Sequence, residues 1–341
     1  LMKNLIIGLD GATLNLIEPW VEKGKLPTFE KIMNEGSYGT LKSTLPPTTI
    51  PAWISLGTGK NPGKYGLYYM FDLDEENEEL KPTPPILEDH GFFWSQLAED
   101  YQIGLLNIPF IRTELENGFC VSGRLPLDPY PEEMESELPA WEDLQPDWAE
   151  GEEYNLDVLN KMVGNQTENI KYALEEWDLD LLFAFYVATD TIQHQFWGYM
   201  DEDHPLHQES KYSNAILNLY KKIDDDLEKI LNMVDDETNI LILSDHGFQP
   251  YKFSIPINYW LREEGYLVLS DDGKEKSSFL TSFLKRGYEI IQDTWIENLI
   301  PSKIKSEAVE NFFPRIDEVI DWDESVAYAA TDGGGIFVTK E

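Results

Sequence analysis

Short apolar runs rich in branched residues recur along the chain at residues 4–9, 103–108, 119–122, 181–187 and 239–244. Several show no alternation of polar and apolar positions, the pattern of strands covered on both faces. Between them, residues 155–177 and 208–234 repeat their apolar positions at helical spacing. Strands separated by crossover helices predict an α/β fold, a three-layer helix–sheet–helix sandwich. Pro51 stands where a first helical turn begins, just after the polar pair Thr48 and Thr49.

Two stretches, 72–90 and 124–154, are rich in Pro, Asp and Glu and read as long surface loops. From residue 256 to about 321 the pattern turns helical and aromatic, with Trp260, Phe279, Phe283, Trp295, Phe312 and Phe313. The expected organisation is therefore an α/β core over 1–255, a helical insert over 256–321, and a return to the core sheet over 322–341 through strand-like 326–329 and 335–338.

Composition narrows the function. The chain has 341 residues, 42% hydrophobic and 13% aromatic, so its 64 acidic residues against 26 basic ones belong to the surface of a folded protein. A formal charge of −38 repels nucleic acid and anionic membranes, which excludes a nucleic-acid scaffold. Cys120 is the single cysteine, so no internal disulfide can form, and it reads as a small buried hydrophobe in a strand. No apolar run is long enough to span a membrane, and residues 5–9 are too short for a signal-peptide core. The expectation is a soluble, cytoplasmic protein.

Three of the strand-like runs lead into acids. Leu9 precedes Asp10, Val187 is followed within three residues by Asp190, and Ser244 is followed by Asp245. In open α/β sheets, sites form beyond the carboxyl ends of strands, so these carboxylates can converge although they are distant in sequence. Two carry an imidazole nearby: His194 lies four residues after Asp190, on the same face of a helix, and His246 follows Asp245. Carboxylate with imidazole suits zinc or manganese. Thr49, placed at a helix start, lies in the positive field of the helix N-terminus, where backbone N–H groups can hold a phosphate. A threonine hydroxyl is a weak nucleophile until a base or metal deprotonates it. Taken alone, each Asp–His pair reads more readily as an ordinary hydrogen-bonded pair and Thr49 as a helix cap; two pairs, each just after a buried-type strand, shift the balance.

Gly8-Leu9-Asp10-Gly11, Thr49-Ile50-Pro51 with Thr58-Gly59-Lys60-Asn61-Pro62 and Gly66, Asp190 with His194, and Ser244-Asp245-His246-Gly247 follow one another in the order of the motifs of the alkaline phosphatase superfamily. The chain resembles its type I phosphodiesterase/nucleotide pyrophosphatase branch, over about residues 4–248. The resemblance implies two divalent cations, usually zinc with manganese as the other candidate, flanking a reacting phosphate. Asp10, Asp245, His246 and the Thr49 hydroxyl would hold one, and Asp190 with His194 the other. It implies hydrolysis of a small phosphodiester or phosphomonoester, nucleotides among them, through transient phosphorylation of Thr49.

Three departures qualify the match. The family supplies a further histidine to the second metal from near the C-terminus, and no histidine follows His246 here. Met70 stands where the branch carries a phosphate-binding Asn, and Tyr65 where it often carries a histidine. Lys60 is a candidate phosphate contact, and Thr48 a rival to Thr49. His204 and His207 read as solvated loop residues or substrate contacts. A sulfatase is excluded by the lack of a Cys or Ser followed by Pro and Arg near Thr49. A phosphoglycerate mutase-like phosphotransferase and a non-catalytic metal-binding or interaction protein are the alternatives.

Overall fold

The computed structural model describes residues 2–68, 71–74, 79–82, 91–109, 113–123, 138–140, 144, 146–147, 150–205, 207–250, 257–271, 320–329 and 335–338. They divide into two compact units.

The first unit is built on a five-stranded parallel sheet. Its strands are β1 (Asn4–Leu9), β4 (Ile103–Pro109), β5 (Gly118–Gly123), β6 (Leu181–Tyr186) and β7 (Asn239–Leu243), in the order β5-β4-β6-β1-β7. The apolar runs become these strands within a residue or two of their expected ends. β6 is buried at every position and occupies the middle of the sheet, while β7, at one edge, is only partly buried. A strand covered on both faces has no polar side to show, which is why β6 lacks alternation.

Helices cover both faces. Leu182, Ala184 and Tyr186 of β6, with Leu5, Ile7 and Leu9 of β1, join one core cluster with Leu159, Val163 and Ile170 of α6 (Glu152–Glu176) and Ile216, Leu219, Ile223, Leu227 and Ile230 of α8 (Ala215–Leu231). The intervening residues Phe183 and Phe185 point the other way, against Trp53 of α3 (Thr49–Thr58), and Phe183 also meets Trp94 of α5 (Phe93–Leu97). This period-two division of β6 between two helical layers makes the three-layer sandwich that the sequence predicts. The helix expected over 208–234 begins only at Ala215, because residues 207–214 form irregular backbone and turns.

Glycines set the close approach of the second layer. A Cβ on Gly8 would lie 2.6 Å from the Trp53 ring, and one on Gly57 would lie 2.2 Å from Trp94. α3 therefore sits directly on β1, with its N-terminus and Thr49 fixed by ring packing.

α1 (Leu14–Glu22) and α2 (Pro27–Glu35) follow β1. Leu26, before α2, has no capping side chain of its own. The buried Asp224 of α8 supplies the cap instead, accepting from the N–H groups of Thr28 (3.0 Å) and Phe29 (2.8 Å). Loss of an N-cap costs about 1 kcal/mol, and charge-assisted bonds are stronger than neutral ones. Asp224→Ala is expected to destabilise the protein by about 2 kcal/mol, read as a lower urea midpoint by circular dichroism. An unchanged midpoint would show that α2 needs no cap from α8.

In the second unit, β2 (Phe71–Asp74) and β3 (Glu79–Pro82) pair antiparallel, so the stretch expected to be loop over 72–90 contains a hairpin. Its Phe-Asp-Leu-Asp alternation is short and lies among acids, which conceals it. α9 (Ile257–Glu263) packs Leu261 with Leu267, Ile320, Ala327 and Tyr328. The strands expected to return to the core sheet, β8 (Ala327–Ala329) and β9 (Ile336–Val338), pair with one another in a two-stranded sheet of their own. Most of the expected helical insert, residues 272–319, lies outside the described residues. No described helix is long and apolar enough to cross a membrane.

Candidate active site

The register of the central sheet explains why distant acids meet. β1 lies between β6 and β7, with Leu9 opposite Tyr186 and Gly8 opposite Leu243. All three strands thus end within one residue of the same level, and each hands its chain to a segment bearing an acid. Asp10 follows β1 directly, and Asp190 lies in the first turn of α7 (Ala188–Met200) after β6. Asp245 comes two residues after β7.

Asp10, Asp245 and His246 form a tight cluster whose ligand-type atoms all lie within 4.8 Å of one another. His246 Nε2 is its hub, 3.4 Å from Asp10 Oδ1, 3.5 Å from Asp245 Oδ2 and 3.3 Å from Thr49 Oγ1. The other ring nitrogen, Nδ1, donates to the Gly247 carbonyl at 2.9 Å, which fixes the ring with Nε2 facing the cluster. Ser43 donates to the Asp245 carbonyl at 2.6 Å, tying the loop before Thr49 to the segment after β7.

Thr49 is the first residue of α3. Thr48, just outside the helix, makes no side-chain cap, and its hydroxyl donates to the Tyr68 carbonyl at 3.3 Å. The two threonines are therefore spent differently, one on a loop and one on the cluster.

Asp190 and His194 form a second pair, with His194 Nε2 3.4 Å from Asp190 Oδ2. Among the described residues no third histidine, cysteine or acid completes a group of three around them. Gly11 separates the two sets. It adopts φ +60°, and a Cβ there would lie 2.8 Å from Asp190 Oδ1 and 3.3 Å from His246 Cε1. Only glycine lets both sets close on the turn after β1.

The electrostatics of the cluster favour added positive charge, whether protons or a cation. Burial, and then the charge of Asp245, push the Asp10 carboxyl well above the usual range, and burial raises Asp245 too. Burial alone would lower the His246 imidazole, but the hydrogen bond to Asp10 and the charges of Asp245 and Asp10 outweigh it and push the group up to about 10. Asp190 Oδ1 is buried without a hydrogen-bond partner, and Asp10 Oδ1 and Asp245 Oδ2 have only the His246 ring, at the long distances of 3.4 and 3.5 Å. Buried carboxylate oxygens without donors are costly unless protonated or metal-bound.

The spacing fits a metal as well. Donor atoms about 2.0–2.1 Å from a tetrahedral ion sit about 3.3 Å from each other. The distances of 3.3, 3.4 and 3.5 Å from His246 Nε2 to Thr49, Asp10 and Asp245 match that spacing. These four residues could hold one cation, and Asp190 with His194 could contribute to another.

Lys60 is not brought to this place. It lies past the C-terminal end of α3, so about 15 Å of helix separates it from Thr49. Tyr65 donates to the Pro51 carbonyl at 2.6 Å and lies 2.8 Å from the Ser55 hydroxyl, tying α4 (Pro62–Tyr65) to α3. His207 donates to the Gly198 carbonyl at 2.8 Å and so fastens the loop after α7. Met70 lies outside the described residues. Thr189, Gln193 and Ser43 escaped the sequence reading, since isolated Thr, Gln and Ser residues carry no motif signal. The adjacency of Gly11 to Asp10 was the one available hint.

Among solved structures, the chain is similar to the phosphonoacetate hydrolase of Sinorhizobium meliloti 1021, in complex with phosphonoformate and with phosphonoacetate. Each comparison has 14% identity and a TM-score of 0.54, and covers 79% of this chain and 64% of the other. The chain thus spans less than two-thirds of that hydrolase, and at such identity the likeness is one of fold. No curated protein matches the chain. A model of the type I phosphodiesterase/nucleotide pyrophosphatase family matches residues 4–302, most of the chain and all of the candidate site. The resemblance read from the ordered motifs is borne out: the chain belongs to the type I phosphodiesterase/nucleotide pyrophosphatase family, within the alkaline phosphatase superfamily.

Proposed function

We propose that the chain is a cation-dependent phosphoric ester hydrolase, acting on a small phosphodiester or phosphomonoester with Thr49 as nucleophile. The observation that carries this reading is the placement of Thr49 Oγ1 3.3 Å from His246 Nε2, at the rim of a cluster with two buried acids. Asp10, Asp245, His246 and Thr49 would hold one divalent cation, zinc or manganese, and Asp190 with His194 a second. Bound cations would lower the pKa of the Thr49 hydroxyl and offset charge on the phosphate.

The protein's own residues account for the rest. Thr49 opens α3, so the N–H groups of Thr49 and Ile50 and the helix dipole would face a phosphate attacked by Oγ1; Pro51 has no N–H, and that of Ala52 donates to the Thr48 carbonyl at 3.2 Å. Thr49 Oγ1 forms the new bond to phosphorus, and the leaving oxygen departs with its electron pair. Water then cleaves the phosphothreonine and restores the hydroxyl. The strand ends fix the three acids with little freedom to reorganise, as preorganised electrostatic catalysis requires. Which ester is used would fall to the segments around this core, because family and fold do not set specificity.

Calorimetric titration of the chelator-treated protein with Zn2+ or Mn2+, paired with turnover of p-nitrophenyl phosphate and bis(p-nitrophenyl) phosphate, tests the reading. One tight and one weaker binding event are expected, since the first set has three charged or imidazole donors plus a hydroxyl and the second has two. Activity should vanish with chelation and return with the metal. Uptake without turnover of either ester would favour a metal-binding protein that does not catalyse. Two equally tight sites would mean that the second holds a further ligand.

A further inference from the structure

Two side chains of α7 lie between members of the site without belonging to it. Thr189 and Gln193 are fully buried, and each immediately precedes a site residue, Asp190 and His194 respectively. Four residues apart, they share one face of the helix. The Thr189 hydroxyl donates to the Asp10 carbonyl at 2.6 Å, with a longer contact of 3.2 Å to the Tyr186 carbonyl. The Gln193 amide donates to the Gly11 carbonyl at 2.9 Å and to the Thr189 carbonyl at 2.8 Å. Two successive carbonyls of the turn after β1 are thus held by two side chains of the helix that presents Asp190 and His194.

The other side of the same turn faces Asp245. The peptide that joins Asp10 to Gly11 is a rigid plane, and its carbonyl is the one Thr189 holds. Its N–H donates to Asp245 Oδ1 at 3.2 Å. One planar unit therefore connects α7 to the Asp245 carboxylate, and Gly11, with no room for a Cβ against Asp190, keeps the separation short.

We propose that Thr189 and Gln193 are positioning residues: by holding the Asp10 and Gly11 carbonyls against α7, they set the separation between the Asp10–Asp245–His246 cluster and the Asp190–His194 pair. The inference rests on the proposed cation-binding role of those two sets. A buried side chain that served stability alone could bond any nearby group. These two bond the one turn whose opposite face carries the partner cluster.

The test uses the full chain loaded with Mn2+, whose electron paramagnetic resonance spectrum reports the spin coupling of two nearby ions and hence their separation. Stepwise Mn2+ affinities are measured alongside. Thr189→Val keeps the shape and removes the hydroxyl, and Thr189→Ser restores it. Thr189→Val should weaken the second Mn2+ by roughly tenfold, the lower end of what loss of a supporting hydrogen bond costs a metal site, and should alter the coupling. Thr189→Ser should return both to the parent values. A hydroxyl that is merely structural would lower the melting temperature of the cation-free protein and leave both the affinities and the coupling as in the parent. That result overturns the inference and leaves the proposed cation sites standing. Should Thr189→Val fail to fold, Gln193→Met is read by the same two measurements. If the parent takes up no Mn2+ that Asp245→Asn abolishes, the cation reading itself falls and this inference with it.

Discussion

Thr49→Ala is expected to abolish ester hydrolysis, by roughly three orders of magnitude or more, which is the scale on which loss of a covalent nucleophile is felt. The fold should survive, because Thr49 is only partly buried and α3 is anchored by Ile50, Trp53 and Ile54. Uptake of the first cation should also largely survive, with Asp10, Asp245 and His246 still in place. Thr48→Ala is the control: its hydroxyl bonds the Tyr68 carbonyl, so only a small loss of stability is expected. Thr49→Ser, which keeps a hydroxyl, should retain activity. Acid quenching during turnover should trap phosphate on the peptide that contains Thr49. Parent-like turnover by Thr49→Ala would remove the phosphothreonine and leave direct attack by water as the better account. Inactive Thr48→Ala with active Thr49→Ala would shift the nucleophile by one residue.

Gly11→Ala should be nearly as damaging, with turnover falling by roughly a hundredfold, the cost of misplacing reacting groups by about 1 Å. Two effects combine. An alanine at φ +60° is strained by about 1–2 kcal/mol, and its Cβ, 2.8 Å from Asp190 Oδ1, must push that carboxylate away from the turn. Gly24→Ala separates them, since Gly24 has φ +64° and nothing within 4 Å of the added carbon. It carries the backbone strain alone, so it should lower stability and leave turnover unchanged. Turnover at the parent rate by Gly11→Ala, with the fold intact, would show that the position of Asp190 is not critical.

Most of the central sheet was legible because its strands are buried on both faces and so stand out as unbroken apolar runs. Where burial is partial the signal faded. The β2–β3 hairpin hides in an acidic stretch, and β8 with β9, read as strands of the core sheet, pair with one another instead. A short strand exposes the same backbone groups to any neighbour, so its partner is decided in three dimensions. The candidate site was legible as a set of types: acids after strands, imidazoles beside two of them, a threonine at a helix start. Lys60 shows the limit of that reading, for it belongs to the right motif and yet stands at the far end of α3.

The amino-acid sequence by itself determined the α/β class, the five core strands and the order of Asp10, Thr49, Asp190, His194, Asp245 and His246, because periodicity and residue chemistry are local properties. Only the tertiary structure decided that β1 lies between β6 and β7 with their ends within one residue of each other, which makes separated acids neighbours. It also decided that Trp53 rests on Gly8, so that α3 delivers Thr49 and leaves Thr48 to the loop. Distances between elements depend on packing across the whole core, and no window along the chain contains them.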